Sequence, residues 1–362
     1  MFYHFLYPLK SYSIIFNIFK YITFRAVGAS VTAFLICVIL GPSVIDCLKK
    51  LSVVNATKRD HTDKIHKFFA QKDKVPTMGG ILIVASVLLS CAFWGNFLNS
   101  FFNLSLASLV CFCAIGFLDD FIKLKSRSSK GLSAQIKLVS QLAASLLVAF
   151  YLYKDPDVSK VLYVPFFKNF HFFLGFGFVP FVGLVIVGTS NAINITDGLD
   201  GLAIGCFIIA AAVFGLISYI VGRIDYAGYL GITYIERAGE LSVFCAALVG
   251  AGTGFLWYNS YPATIMMGDA GSLSLGGALG TVAILIKKEL ILFVVGGVFV
   301  WEALSVIFQV FSFQCFRKRI FLMSPFHHHL QLKGWPESKV TIRLWIMAFI
   351  FALIGISMLK LL

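Results

Sequence analysis

The chain has 362 residues, 59% hydrophobic and 13% charged, with a mean hydropathy of +0.89. That balance excludes an ordinary soluble enzyme and points to an all-α polytopic membrane protein forming a single domain over 1–362. The net charge of +13 is scattered through short polar gaps rather than gathered in one patch, which argues against a nucleic-acid partner and resembles membrane orientation signals.

In chain order, "MFYHFLYPLKSYSIIFNIFKYITF" is aromatic and interrupted by Lys10 and Lys20. It has no smooth apolar centre and no small-residue cleavage site, so residues 1–25 read as an interfacial segment rather than a signal peptide. Ten apolar stretches of about 20 residues follow, the length of one bilayer crossing. They fall at roughly 26–47, 78–97, 101–118, 134–153, 171–190, 200–221, 239–257, 272–287, 289–311 and 342–360. Only Lys287, Lys288 and Glu289 mark the gap between the eighth and ninth. Ten spans put both termini on one side. Gaps after odd-numbered spans carry most of the bases, among them Lys49, Lys50, Lys72, Lys74, Lys123, Lys125, Arg317, Lys318 and Arg319. Those gaps are therefore expected in the cytoplasm and both termini outside. The eight cysteines lie mostly within apolar runs, without metal-ligand spacing, and read as buried packing residues.

The polar stretches with chemical content all belong to the cytoplasmic set. They are "KVPTMGG" (74–80), "GFLDDFIKLKSRSSKGLSAQIK" (116–137), "NAINITDGLDGLA" (191–203), "YNSYPATIMMGDAGSLSLGG" (258–277) and "RKRIFLMSPFHHHLQLKGWPE" (317–337). Such sorting predicts one site assembled from several helix ends on the cytoplasmic face. Asp119 and Asp120 are adjacent like charges at the mouth of an apolar run, which requires a metal ion, a cationic side chain or a proton among them. Asn194, Asp197 and Asp200 step by three, which would place them on one helical face with Asn191 one step earlier; capping of the sixth span is the other reading. Asp269 sits among glycines before a span, either as an N-cap or beside an anion site. Gly276 and Gly280 read as helix-packing positions. His327, His328 and His329 are adjacent and cannot all face one ion on a regular element. Their proximity to Arg317, Lys318 and Arg319 favours a phosphate-contacting loop. Glu240 and Glu302, inside apolar runs, admit a paired structural role as well as a catalytic one. No P-loop, Rossmann fingerprint or serine triad is present. Carboxylates, amides, lysines and histidines around glycine turns suit a divalent metal holding phosphates.

In this order, "PTMGG", "GFLDDFIKLK", "NAINITDGLDGLA", "PATIMMGDAGSLSLGG" and "SPFHHHLQLKGW" resemble the polyprenyl-phosphate N-acetylhexosamine-1-phosphate transferases, from about residue 20 to the C-terminus. "PTMGG" and "HHH" point to the phospho-N-acetylmuramoyl-pentapeptide transferase branch. The resemblance implies a ten-helix enzyme of the bacterial cytoplasmic (inner) membrane, commonly a homodimer, dependent on Mg2+. Its reaction would move phospho-N-acetylmuramoyl-pentapeptide from UDP-N-acetylmuramoyl-pentapeptide to undecaprenyl phosphate, giving lipid I and UMP for peptidoglycan. Carried over by position, Asp269 would be the metal ligand. Asp119 and Asp120 would lie at the lipid-phosphate and metal end, with Asp119 as base or nucleophile. Lys72, Thr77, Lys137, Asn191, Asn194, Asp197, Gly198, Asp200, Asn259 and Met266 would bind substrate, and the three histidines would contact substrate or assist transfer. Four positions depart from the family pattern: Val75 before Pro76, the longer spacing from His66 to Lys72, Met266 in place of phenylalanine, and Gln331 in place of an acid. Competing readings are transfer of N-acetylglucosamine-1-phosphate, an ion-coupled transporter and a prenyl synthase. The "HHH" loop disfavours the first. Acids at helix ends rather than at the midplane, with no visible repeat, disfavour the second. The third lacks a second aspartate-rich motif.

Overall fold

The computed structural model describes residues 2–51, 75–126, 131–163 and 171–361. A short helix α1 (Phe2–Leu6) and two 3-10 turns precede α2 (Ile22–Lys50). Then come α3 (Gly80–Trp94), α4 (Ser100–Ser126), α5 (Ala134–Lys154), α6 (Phe178–Thr196) and α7 (Leu202–Val221). After a short α8 (Ile224–Leu230), α9 (Leu241–Asn259) and α10 (Gly268–Leu285) follow. The chain continues through α11 (Glu289–Val295), α12 (Gly297–Phe316), α13 (Phe326–Leu332) and α14 (Glu337–Ser357). Helix therefore occupies each of the ten apolar positions, and among the described residues eight helical segments are long and apolar enough to cross a bilayer.

The two segments that fall short of that measure do so for different reasons. With 15 residues, α3 spans about 22 Å, less than a hydrocarbon core. In contrast, the hydropathy of α10 is diluted by Asp269 and by Gly, Ser and Thr, and every residue from Ala270 to Leu285 is buried. It packs between α4 and α6, so its surface meets other helices rather than lipid, and small side chains let their backbones approach closely. Gly276 abuts the backbone of Thr189 and Ser190, and Gly280 that of Ile186, as their packing role predicts.

Two boundaries differ from the hydropathy reading. The fifth span was expected at 171–190, but α6 begins at Phe178. Residues 171–173 instead form β2, paired antiparallel with β1 (Val161–Tyr163), and Gly175–Gly177 form a 3-10 turn. A hydropathy window counts Phe172, Phe173 and Phe176 as apolar without registering where their backbone groups bond. The ninth span is broken at Gly296 into α11 and α12, and Lys287 takes φ +56 in the turn before it.

Opposite the end that carries the polar motifs, Arg25 of α2 meets Glu240 at the start of α9. The guanidinium donates to both carboxylate oxygens at 2.8 and 2.5 Å and lies 4.5 Å over the Tyr3 ring. Arg25 is 1% and Glu240 8% exposed, so the two charges rely mainly on each other rather than on water. Removing one charge should be far worse than removing both. Glu240→Gln is expected to cost about 3 kcal/mol or more in detergent-solubilised unfolding, with Arg25→Leu/Glu240→Leu closer to wild type.

Candidate active site

Neighbouring antiparallel helices bring alternate ends to one face, and the C-terminal ends of α4 and α6 meet the N-terminal ends of α5 and α10 there. Helix α4 runs past the expected end at 118 to Ser126, so Asp119 and Asp120 lie inside a regular helix. Lys123 then stands one turn beyond Asp119, the spacing that lets i and i+4 side chains meet. On α10, Asp269 occupies the first turn, where the helix dipole favours a negative charge; the cap residue is Met267, not Asp269.

The three carboxylates converge, with one oxygen from each of Asp119, Asp120 and Asp269 lying within 4.8 Å of the others. Lys123 Nζ stands among them, 2.5 Å from Asp119, 2.8 Å from Asp269 and 3.6 Å from Asp120. Lys137 of α5 reaches Asp269 at 2.7 Å and Asp119 at 3.9 Å. Backbone donors complete the cage, Leu132 N–H to Asp119 Oδ1 (2.8 Å) and Ala270 N–H to Asp120 Oδ2 (3.1 Å). Asn194 at the end of α6 donates to Asp269 Oδ1 at 2.7 Å and lies 2.7 Å from Ser272 Oγ. With all three carboxylates ionised, the two ammonium groups leave the cluster one formal negative charge. This all-oxygen donor set, already gathered about a cationic nitrogen, fits a hard divalent cation, with Asp119, Asp120 and Asp269 as the residues able to hold it.

Two glycines permit this approach. Gly268 has φ +73, and a side chain there would meet Asp120 Oδ2 at 2.7 Å and Thr77 Oγ1 at 3.0 Å. Gly116 of α4 lies against the Asp269 carbonyl, so a Cβ would force α4 and α10 apart. The "PTMGG" and "MMGD" stretches also bond to each other. Met266 N–H donates to Pro76 O (2.8 Å), and Gly79 and Gly80 N–H donate to the carbonyls of Met266 (2.9 Å) and Met267 (2.8 Å). That ladder sets Thr77 beside Gly268.

The remaining expected site residues divide into groups. Asn191 donates to Gln141 Oε1 at 2.9 Å, one turn before Asn194. The shared helical face expected for Asn194, Asp197 and Asp200 does not form, because α6 ends at Thr196 and a turn through Gly198 and Gly201 (φ +72) follows. Asp197 is the C-cap residue. Asp200 accepts from Ala263 N–H at 3.0 Å, and Asn259 accepts from Gly201 N–H at 3.1 Å and donates to Ile265 O at 2.8 Å. Asp200 and Asn259 thus brace the loop leading to Asp269. Gly198 packs against the His327 ring. The histidines on α13 face three different partners: His327 with Glu302 (3.1 Å), His328 with Gln331 (2.9 Å), and His329 Nδ1 accepting from Leu322 N–H (3.1 Å). Burial, and then Lys333, lowers the pKa of His329. Lys72 and His66 lie outside the described residues.

Sequence reading passed over Lys123 as a site residue, although its i+4 step from Asp119 was the available signal. Ser272 and Gln141 were also missed, and nothing local marks them.

A family model for glycosyl transferase family 4 matches residues 101–287, which span Asp119, Asp120, Lys123, Lys137, Asn194 and Asp269. The chain belongs to that family and is a transferase of the membrane, crossing it several times. Its curated relatives agree along the whole length. It is 51% identical to the phospho-N-acetylmuramoyl-pentapeptide-transferase of Citrifermentans bemidjiense over 360 residues, 99% of each chain. Identity to the proteins of that name is 48% in Oleidesulfovibrio alaskensis, covering all of both chains, and 47% in Methylacidiphilum infernorum, covering 99% of each.

If the contact between α4 and α10 sets the cluster, Gly116→Ala should lower divalent-cation affinity by about tenfold while the protein stays folded. Mn2+ titration followed by electron paramagnetic resonance would measure it.

Proposed function

We propose that this chain transfers phospho-N-acetylmuramoyl-pentapeptide from UDP-N-acetylmuramoyl-pentapeptide to undecaprenyl phosphate, releasing UMP and forming lipid I for peptidoglycan, and with it cell shape and division. The observation that carries the reading is the cluster of three carboxylates and two lysines, in a chain similar over its full length to enzymes bearing that name. In this reading the chain is one domain with ten crossings, both termini outside, in the bacterial cytoplasmic membrane. The site faces the cytoplasm, where a UDP-linked donor would be met, and two copies form a dimer. The excess of bases in the gaps after odd-numbered spans supports that orientation.

The reaction joins two anions. An oxygen of the lipid phosphate forms a bond to the sugar-side phosphorus of the diphosphate. The bond from that phosphorus to the bridging oxygen breaks, and its electron pair leaves on UMP. Lys123 and Lys137 bring positive charge to the place where the phosphates approach, and positioning and charge are most of what a protein contributes to phosphoryl transfer. Asp119 takes any proton remaining on the lipid phosphate, its second oxygen held by Leu132 N–H. Asp269, with Asp120 beside it, would hold Mg2+, which when bound neutralises diphosphate oxygens as charge builds on them. Asn194 orients Asp269, while Thr77, Asn191, Asp197 and Met266 line the approach for the nucleotide. Asp200, Asn259 and Gly198 shape the adjoining turns, and the three histidines would contact substrate or assist transfer.

UMP release by purified protein tests the reading, with and without Mg2+ and with each substrate omitted in turn. Release should require Mg2+, UDP-N-acetylmuramoyl-pentapeptide and undecaprenyl phosphate together. It should fall by about a hundredfold or more in Asp119→Asn and Asp269→Asn. Release from UDP-N-acetylglucosamine alone would instead assign the chain to the N-acetylglucosamine-1-phosphate branch.

A further inference from the structure

Lys123 holds a position that a metal ion would need. Its ammonium nitrogen is 2.5 Å from Asp119 Oδ2, 2.8 Å from Asp269 Oδ2 and 3.6 Å from Asp120 Oδ1. Those residues are the same three that could hold a divalent ion. Mg2+ binds oxygen at about 2.0–2.1 Å in near-octahedral geometry, which sets neighbouring ligand oxygens about 3 Å apart and opposite ones about 4.2 Å apart. One oxygen from each of the three acids lies within 4.8 Å of the others, and Lys123 Nζ is the cation that stands among these carboxylates. An ion bound to Asp269 and to either carboxylate on α4 would lie against the ammonium, and two unscreened cations do not share that space.

Lys137 is placed differently. It reaches Asp269 from α5 at 2.7 Å but stands 3.9 Å from Asp119, against 2.5 Å for Lys123, so it holds one acid closely rather than bridging them and can remain while an ion enters. Lys123 also has a way out. Its side chain is 34% exposed, against 3% and 4% for Asp119 and Asp120, on a flexible four-carbon stem near the end of α4. Charge points the same way. Three carboxylates with Lys137 and a divalent ion are neutral, whereas keeping Lys123 as well would leave the cluster positive.

We propose that Lys123 is a resident counter-cation that a divalent ion displaces on binding. This rests on the metal site in the function proposed above. In the metal-free protein the lysine keeps three mutually repelling carboxylates together. The affinity for metal is then set by an exchange of cations: Lys123 positions the acids until the ion enters and then turns to the rim of the site, where its charge still meets a substrate phosphate.

The test uses the full chain in detergent, Mn2+ as probe and no substrate. Mn2+ affinity is measured by electron paramagnetic resonance for wild type, Lys123→Met and Lys137→Met. Both variants remove one positive charge from the same cluster, so simple loss of charge would raise affinity equally in each. Displacement predicts a gain for Lys123→Met about tenfold larger than for Lys137→Met. Equal gains, or a smaller gain for Lys123→Met, would overturn it. A second measurement needs no variant: acylation of Lys123 relative to Lys137 in wild type, read by peptide mass spectrometry. Mn2+ should raise that ratio severalfold, and an unchanged or reduced ratio contradicts displacement. Because neither readout uses turnover, failure of the transferase assay and failure of this exchange would be told apart.

Discussion

Three carboxylates gathered within 4.8 Å, two of them almost wholly buried, are the constraint around which this molecule is built. Like charges at that separation repel strongly wherever water is scarce, so the fold must supply positive charge and donors on every side. It does so from four helices at once. Lys123 comes from the same helix as two of the acids and Lys137 from the next, while Asn194 and the first turn of α10 close the far side. No single helix could provide this arrangement, because side chains of both signs must approach one point from different directions. The resulting cluster has the composition that phosphate chemistry requires: anionic enough to hold a metal, yet carrying lysines for an anionic substrate.

The membrane determines how such convergence is possible. Helices in lipid gain little from burying apolar side chains against one another, so close association depends on backbone approach and polar contacts. Here α10 is the extreme case, small-residued and enclosed from Ala270 to Leu285. Gly116 lets α4 reach the Asp269 backbone, and the positive φ of Gly268 turns the chain into α10 without a side chain in the way. The hydrogen-bonded ladder between residues 76–80 and 266–267 then ties the start of α3 to the loop leading into α10 and Asp269. At the other end of the bundle, the buried Arg25–Glu240 pair joins segments 215 residues apart.

Much of this was legible in the residues. Ten apolar runs marked ten helical positions, and the paired aspartates called for a metal ion, a cationic side chain or a proton, of which the structure supplies the cationic side chain, Lys123. What escaped reading has physical causes. An i, i+3 step places side chains on one face only while the helix lasts, and Gly198 and Gly201 end it, so Asn194 and Asp200 serve different partners. Hydropathy could not separate β2 from α6, because phenylalanine is apolar in either conformation. The pairings of Arg25 with Glu240 and Glu302 with His327 join distant segments, and no local window carries them. Lys123 is the instructive omission: its spacing from Asp119 was visible, but its contact with Asp269 depends on how α4 and α10 pack.

The most direct test of the central claim is to locate a bound ion by anomalous scattering from crystals grown with Mn2+. A peak within coordination distance of Asp269 and at least one of Asp119 and Asp120 is the predicted result. A peak confined to another place, such as the histidines of α13, with none among the three aspartates, would contradict the account.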